Sequence, residues 1–319
     1  MTRLRVLLIA EGAAGAQALR MLAASSHEVV GVVNAQGAVS PVGASVAAMA
    51  LRLGHRLWPA AQSRERSFAD LVLRERVDLL LNVHGRYLLP DNVVLAPRIG
   101  SFNLHLGPLP RYAGLNAPSW AIYHGETTHG VALHWMDAGI NTGPLAYATS
   151  FPVDEDETGL TLTGKCIRAG LPLLHDLLTD ASRNDVPTRP QPSAFRRYHG
   201  REVPHEGRLF WNESAVRVER LIRACDYNPF ASPWRSPRAY LGGREIAILK
   251  ASLVGERSDA AAGTVGRRQG DDVLVSARDE WVRVQRVRVG STALPAAEAL
   301  RPGERFALPG PAARAPAVR

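Results

Sequence analysis

The chain has 319 residues, 46% hydrophobic and 21% charged, a profile of an ordinary globular protein long enough for two cores. No stretch reaches the roughly 18 unbroken apolar residues of a membrane helix, and two cysteines, Cys166 and Cys225, support neither a disulfide framework nor a metal site. The +8 charge is arginine except for Lys165 and Lys250, and it is uneven: residues 1–188 carry 15 Lys/Arg against 16 Asp/Glu, residues 189–319 carry 23 against 14. The basic half could meet an anion, either a nucleotide, a phosphopantetheine carrier or RNA, or it is simply a solvated arginine-rich surface.

Leu4–Ala10 reads as a buried first strand. Its apolar run is too short for a signal peptide, and Glu11-Gly12 closes it where a cleavage region should begin, so a cytoplasmic protein with reduced cysteines is expected. Gly15–Ala24 follows as a helix, Glu28–Val33 as a strand, Ser45–Leu53 and Phe68–Glu75 as helices, and Asp78–Val83 as another strand. This alternation predicts an α/β fold, a Rossmann-like, mostly parallel sheet with helices on both faces and ligands at the carboxyl ends of its strands. A dinucleotide site is disfavoured. Glu11-Gly12-Ala13-Ala14-Gly15 is only a partial glycine fingerprint, and the second strand runs into Asn34-Ala35-Gln36 with no acid for a ribose.

Ser101–Leu106 is the next strand, Ala117–His124 a helix led by Pro118, Gly130–Trp135 a strand, and Thr158–Leu178 a long amphipathic helix. The acidic run Asp154–Glu157 before that helix reads as a cap favouring the N-terminal dipole rather than a metal site. From Thr188 to Pro204 the composition turns to Pro, Arg and polar residues, as in a linker. Beyond it lie a helix, Ser214–Arg223, and short strands at Glu245–Ala251, Gly263–Val265, Asp272–Ser276 and Glu280–Val287, spaced as in a small β-barrel. The expected organisation is residues 1–188 as the catalytic domain, 189–207 as linker, 208–306 as an OB-like barrel, and the Ala/Pro-rich 307–319 as a disordered tail.

Asn103 and His105, two apart on a strand, point to one face and could both donate to a developing oxyanion, with His105 also a possible acid or base. Alone, that pair would more often be two solvent-facing polar residues. It stands, however, in an ordered series: Asn103-x-His105, Leu109-Pro110-x-Tyr112-x-Gly114, Ala117-Pro118-x-Trp120-Ala121-Ile122, Gly125-Glu126, Gly130-Val131 and Met136-Asp137-x-Gly139-Ile140. With this series the chain resembles the formyltransferase family that uses 10-formyltetrahydrofolate, which includes methionyl-tRNA and amino-sugar formyltransferases. The resemblance implies formyl transfer to an amine, with Asn103 and His105 catalytic. It implies that the backbone of Tyr87, Leu88 and Leu89 holds the pterin on one side and that of Asp137, Ala138, Gly139 and Ile140 on the other. No metal is implied. Gly207–Trp211, Leu221–Ala224 and the later strands look, more loosely, like the small C-terminal domain of the tRNA and amino-sugar members.

Three departures from the family matter. Leu106-Gly107-Pro108 stands where a serine is usual, and Ala113 where Arg often follows Tyr. Asn141 stands where the family's catalytic aspartate would be, and lost general-base help commonly costs about 10²–10⁴ in rate. Four readings of Asn141 are open: a nucleophile already unprotonated at neutral pH, such as a hydroxylamine or hydrazine; a substitute base, Asp137 or a substrate carboxylate; folate binding retained without turnover; or a deliberate inactivating change. For the acceptor, Asn34–Ala50 contains neither Lys nor Arg, whereas tRNA-specific members carry a basic insertion after the second strand. A small amine, a specialised-metabolite amino acid or nucleotide-linked amino sugar, is therefore preferred over tRNA, and the loop Tyr227-Asn228-Pro229-Phe230 with Pro233-Trp234 could line its pocket, core packing being the equal alternative. A formyl-folate hydrolase and a non-catalytic folate-binding protein are the rival functions. The sequence leaves the oligomeric state open.

Overall fold

The structure, a computed structural model, describes residues 2–35, 45–85 and 87–308. It divides into two compact units. One comprises Met1–Ala117, Thr128–Val153 and Thr163–Gly200; the other comprises Pro118–Thr127, Asp154–Leu162 and Arg201–Arg319.

The first unit is built on strands β1 (Arg5–Ala10), β2 (Glu28–Asn34), β3 (Leu57–Pro59), β4 (Leu79–Val83), β5 (Gly100–His105), β6 (Ala113–Gly114), β7 (Thr128–Trp135), β8 (Leu145–Pro152) and β9 (Tyr198–His199). Seven of them form one sheet in the order β3-β2-β1-β4-β5-β7-β8. The first five are parallel, and β7 and β8 complete the edge antiparallel. Helices α1 (Gly12–Ala23), α2 (Val46–Arg52), α3 (Phe68–Arg74) and α4 (Asp91–Val94) lie between the parallel strands in sequence, as the alternating pattern predicts. Strand β4 is buried at every position, which is why Leu79-Leu80-Leu81 reads as a continuous apolar run. One core cluster joins Leu7, Ile9, Val33, Trp58, Phe68 and Leu80. Gly31 makes room for Trp58, since a Cβ there would lie 2.0 Å from the indole ring.

Strand order turns around at β1, whose neighbours are β2 and β4, so a crevice opens past their carboxyl ends. At that point Glu11 is buried, with its carboxylate accepting from Asn34 Nδ2 at 3.1 Å and from the Ala35 N–H at 2.7 Å. A carboxylate there ties the end of β2 to the end of β1 rather than holding a ribose.

Helix α5 (Ala117–His124) falls in the second unit from Pro118 on, helix α6 (Gly159–Ala181) falls in the first unit from Thr163 on, and Glu157 of the acidic run accepts from the Thr161 hydroxyl at the start of α6. In the second unit, α7 (Ala215–Ala224) is capped by Ser214, whose Oγ accepts from the Arg217 N–H at 3.4 Å. Strands β10 (Arg238–Leu241), β11 (Arg244–Arg257), β12 (Val265–Gln269), β13 (Asp272–Ser276) and β14 (Glu280–Val289) pair antiparallel in the order β10-β11-β14-β13-β12, with β15 (Thr292–Pro295) on β14 and α8 (Ala296–Ala299) after it. Ile246, Ile248, Val273, Val275, Val282 and Val284 form its core. The edges of this sheet are joined by two residues, Phe306 bridging to Leu241 and Arg305 to Thr264. Gly263 is a turn at φ +84 rather than the start of a strand, which begins two residues later. Ala307 donates its N–H to the Tyr240 carbonyl at 2.7 Å; residues 309–319 of the expected tail lie outside the described residues. Neither cysteine is in a disulfide and both are buried, and burial pushes the Cys225 thiol up to about 12.

Candidate active site

Register creates the site. Asn82 on β4 is the parallel partner of Asn103 on β5, and Asn103 is the antiparallel partner of His134 on β7. Three polar side chains therefore stand abreast across three adjacent strands. Asn82 Nδ2 donates to Asn103 Oδ1 at 2.9 Å, and Asn103 Nδ2 reaches His134 Nε2 at 3.1 Å.

The tautomer of His134 follows from its other contact. Nδ1 lies 2.6 Å from the Trp135 carbonyl oxygen, which can only accept, so the ring proton sits on Nδ1 and Nε2 presents its lone pair. Burial lowers the His134 pKa, against the Trp135 carbonyl and the Asp137 charge, which raise it. The neutral ring is thus a hub that receives amide N–H groups. Asn141 supplies the second of these, its Nδ2 lying 3.2 Å from His134 Nε2 while its Oδ1 accepts from the Gly114 N–H at 2.9 Å. The orientation of the Asn141 amide is fixed from both ends: a backbone donor needs the oxygen, and a lone pair needs the nitrogen.

Asn141 holds this position with φ +55, a left-handed conformation that asparagine tolerates better than most residues. Its carbonyl accepts from Gln191 Nε2 at 3.1 Å, and Arg196 Nη2 donates to the Ile140 carbonyl at 2.8 Å. Gly114 must be glycine on two counts, φ +98 and a Cβ position 2.0 Å from the His199 carbonyl.

His105 is buried and places Nε2 2.6 Å from the Tyr112 carbonyl oxygen, so Nε2 carries its proton and Nδ1 the lone pair. Desolvation holds the imidazole down at about 4, the Tyr112 carbonyl working against it and the charges of His134, His129 and Arg196 adding to it. This differs from a pair of residues both donating to one oxyanion. In this arrangement His105 offers a base, while Asn103 keeps its second N–H beyond the one given to His134. The residue after the histidine's neighbour is also explained: a Cβ on Gly107 would lie 2.7 Å from Ala117 Cβ and 3.0 Å from His105 Nε2, so a serine at 107 would force its neighbours to shift.

The two segments expected to flank a pterin share a floor. Tyr87 and Leu89 pack against the same hydrophobic cluster as Met136, which leads into Asp137–Ile140. Leu88 is 69% exposed, and Asp137, Ala138 and Gly139 are exposed too. Asp137 is turned into its own loop, Oδ1 accepting from Thr142 Oγ1 at 2.6 Å and the Gly139 N–H at 3.1 Å. That commitment weakens its case as a substitute base.

The network brings Asn103 and Asn141 together on His134. His134, Asn82, Gln191, Arg196 and the Gly114 N–H were not foreseen. The only signal for two of them was a polar residue inside an apolar strand, Asn82 in Leu79–Val83 and His134 in Thr128–Trp135. In the second unit, the aromatic loop is largely structural: Trp234 is buried 4.7 Å from the Trp120 ring and Tyr227 Oη bonds Ser119 Oγ at 2.9 Å, while Phe230 is partly exposed.

Residues 3–176 match the Formyl transferase family, and residues 203–302 match Formyl transferase, C-terminal domain. The chain belongs to the formyl transferase family. Solved structures of the same fold include HypX from Aquifex aeolicus in complex with tetrahydrofolic acid, at 18% identity and TM-score 0.67, covering 93% of this chain and 47% of HypX. WlaRD, a sugar 3N-formyl transferase solved with dTDP and 5-N-formyl-THF, matches at 15% identity and TM-score 0.69 over 92% of this formyl transferase chain and 100% of WlaRD. The N-formyltransferase from Helicobacter canadensis, in complex with folinic acid and dTDP-3-aminofucose, matches at 16% identity and TM-score 0.68 over 88% and 98% of the two chains. The chain spans about half the length of HypX.

Proposed function

We propose that this chain transfers a formyl group from 10-formyltetrahydrofolate to the amine of a small-molecule acceptor. The observation that carries the reading is the set of prepositioned amides around His134, with the buried His105 two residues from Asn103 on the same strand. Family membership supports the reaction class. The folate ligands of HypX, WlaRD and the Helicobacter canadensis enzyme support the donor, and the dTDP and dTDP-3-aminofucose ligands of the latter two support a nucleotide-linked amino sugar as acceptor class.

The bound folate would supply the formyl carbon and, at N10, the leaving nitrogen, its flat ring lying between Tyr87–Leu89 and Asp137–Ile140. As the acceptor nitrogen bonds to the formyl carbon, charge gathers on oxygen, where the uncommitted N–H of Asn103 would donate; such a donor is worth about 3–4 kcal/mol. The acceptor must lose one proton and N10 must gain one. His105 Nδ1 can carry it, because its neutral ring accepts a proton only transiently and returns it readily. Asn141 takes no proton, since its oxygen is held by Gly114 and its nitrogen faces His134. The aspartate's task therefore falls to His105, and the natural acceptor is an amine of low basicity, largely neutral before it binds.

Incubating the protein with 10-formyltetrahydrofolate and a panel of amines, read by mass spectrometry, tests this. Formylated product with at least one amine supports it. Formate release independent of any amine would mean hydrolysis, and folate binding without product in single-turnover assays would mean a non-catalytic binder.

A further inference from the structure

The second unit contains a cavity of about 430 Å³ whose wall includes Arg201, Glu202, Glu206, Trp234, Arg235 and Arg238. That volume is typical of small-molecule sites, about 300–1,000 Å³. Its three guanidinium groups are not equivalent. Arg238 is occupied, Nη2 donating to the Glu206 carbonyl at 3.1 Å and Nη1 lying 3.7 Å from the Glu245 carboxylate. The exposed guanidinium groups of Arg201 and Arg235 have no hydrogen bond or ion pair among the described residues. Both residues line the same concave surface, where their positive fields add, and the planar donor set of a guanidinium matches phosphate oxygens.

The wall behind them is packed with aromatic side chains. Trp234 is 3% exposed and packs edge-on against Trp120 at 4.7 Å and Tyr123 at 6.4 Å. Its buried Nε1–H has no acceptor. Non-glycine residues hold left-handed backbone on both sides, His205 and Glu206 at φ +52 and +56 and Arg235 at φ +61. Such conformations persist only where the surroundings impose them, and they gather at ligand sites. The carboxylates of Glu202 and Glu206 interrupt the positive surface. A polyanion laid along it would meet them, whereas a compact anion held by Arg201 and Arg235 need not.

We propose that this cavity binds a phosphorylated small molecule of nucleotide size, its phosphate gripped by Arg201 and Arg235. The inference stands on the second unit alone and does not depend on the formyl-transfer reading. Calorimetric titration of the full chain with a nucleoside diphosphate, inorganic pyrophosphate, the matching nucleoside and a short RNA tests it. The diphosphate and pyrophosphate should bind, with the nucleoside at least about tenfold weaker. Arg201→Ala/Arg235→Asn, the asparagine chosen to tolerate positive φ, should weaken the diphosphate at least about tenfold without lowering Tm, and Arg201→Glu should weaken it further. Asn103→Ala should leave that binding intact. No diphosphate binding to the parent protein, or equal binding by the double variant, overturns the proposal, as does binding lost in Asn103→Ala but kept in the double variant. Binding of RNA alone, steeply salt-dependent and lost in the double variant, would replace it with a polynucleotide surface.

Discussion

Asn141 Nδ2 donates to His134 Nε2 at 3.2 Å, and the proton that makes this possible sits on the far ring nitrogen, held by the Trp135 carbonyl at 2.6 Å. The single Nε2 lone pair is therefore shared by two carboxamides, Asn103 and Asn141, and each loses one of its two anchors if the ring is removed.

His134→Ala should lower kcat by about tenfold or more while leaving KM for the folate within a few-fold, because the ring positions Asn103 without touching the reacting atoms in its own right. Asn103→Ala should cost about 10²-fold in kcat. Steady-state kinetics of both variants and of the double variant check this. Fully additive effects in the double variant would show that His134 does not act through Asn103.

Asn141→Asp would set a carboxylate oxygen against the His134 Nε2 lone pair, and the pair can be held only by a proton. The His134 pKa should rise from its burial-lowered position, as read by NMR titration. Protonated His134 can no longer accept from Asn103, so the substitution is not a simple restoration. If the acceptor is a weakly basic nitrogen, Asn141→Asp should help an amino acid (amine pKa about 8) more than a hydroxylamine or hydrazine. Measuring kcat/KM across such acceptors and across pH decides. Uniform gain would mean that Asn141 is only a disabled base, and no gain anywhere would leave the proton with another group.

His105 is held at about 4 by burial, against about 6.5 in an unfolded chain. Between those values the unfolded chain binds more protons than the folded one. The folded state therefore has its full stability above about pH 6.5 and loses it as pH falls towards 4, by about 3 kcal/mol from this one group. Urea unfolding at pH 7 and pH 4.5 should show a larger loss for the parent protein than for His105→Asn. Equal losses would mean that His105 charges freely in the folded protein.

Gly107→Ser places a side chain against Ala117 and the His105 ring. We expect destabilisation by about 1–3 kcal/mol together with reduced kcat, and partial recovery in Gly107→Ser/Ala117→Gly. Thermal melts and kinetics on the two variants check this; an unperturbed single variant would show that the loop yields freely.

Sequence periodicity was enough to foresee the parallel sheet, because buried strands such as Leu79–Val83 and Leu4–Ala10 carry their pattern locally. Strand β8 was not legible: half of Leu145–Pro152 is exposed, mostly in one run and without a clear alternation. Strand β3 has only three residues, and β11 runs on to Arg257 through register shifts that disguise its period. The candidate site divides the same way. Asn103 and His105 share a strand and Asn141 falls within a local loop motif. The grouping of Asn82, Asn103 and His134 depends on pairing between strands far apart in sequence, which no local window contains. The role of Asn141 was open for a related reason, since which way its amide faces is settled by the Gly114 N–H, 27 residues away.

The bridges from Phe306 to Leu241 and from Arg305 to Thr264 also decide how the C-terminal sheet avoids self-association. Without them, the edge groups of Leu241 and Thr264 would be open templates for another chain's strand. The family match ends at residue 302, short of this closure. A protein shortened to that boundary should therefore tend to oligomerise through its barrel edges, and one retaining Arg305 to Ala307 should not.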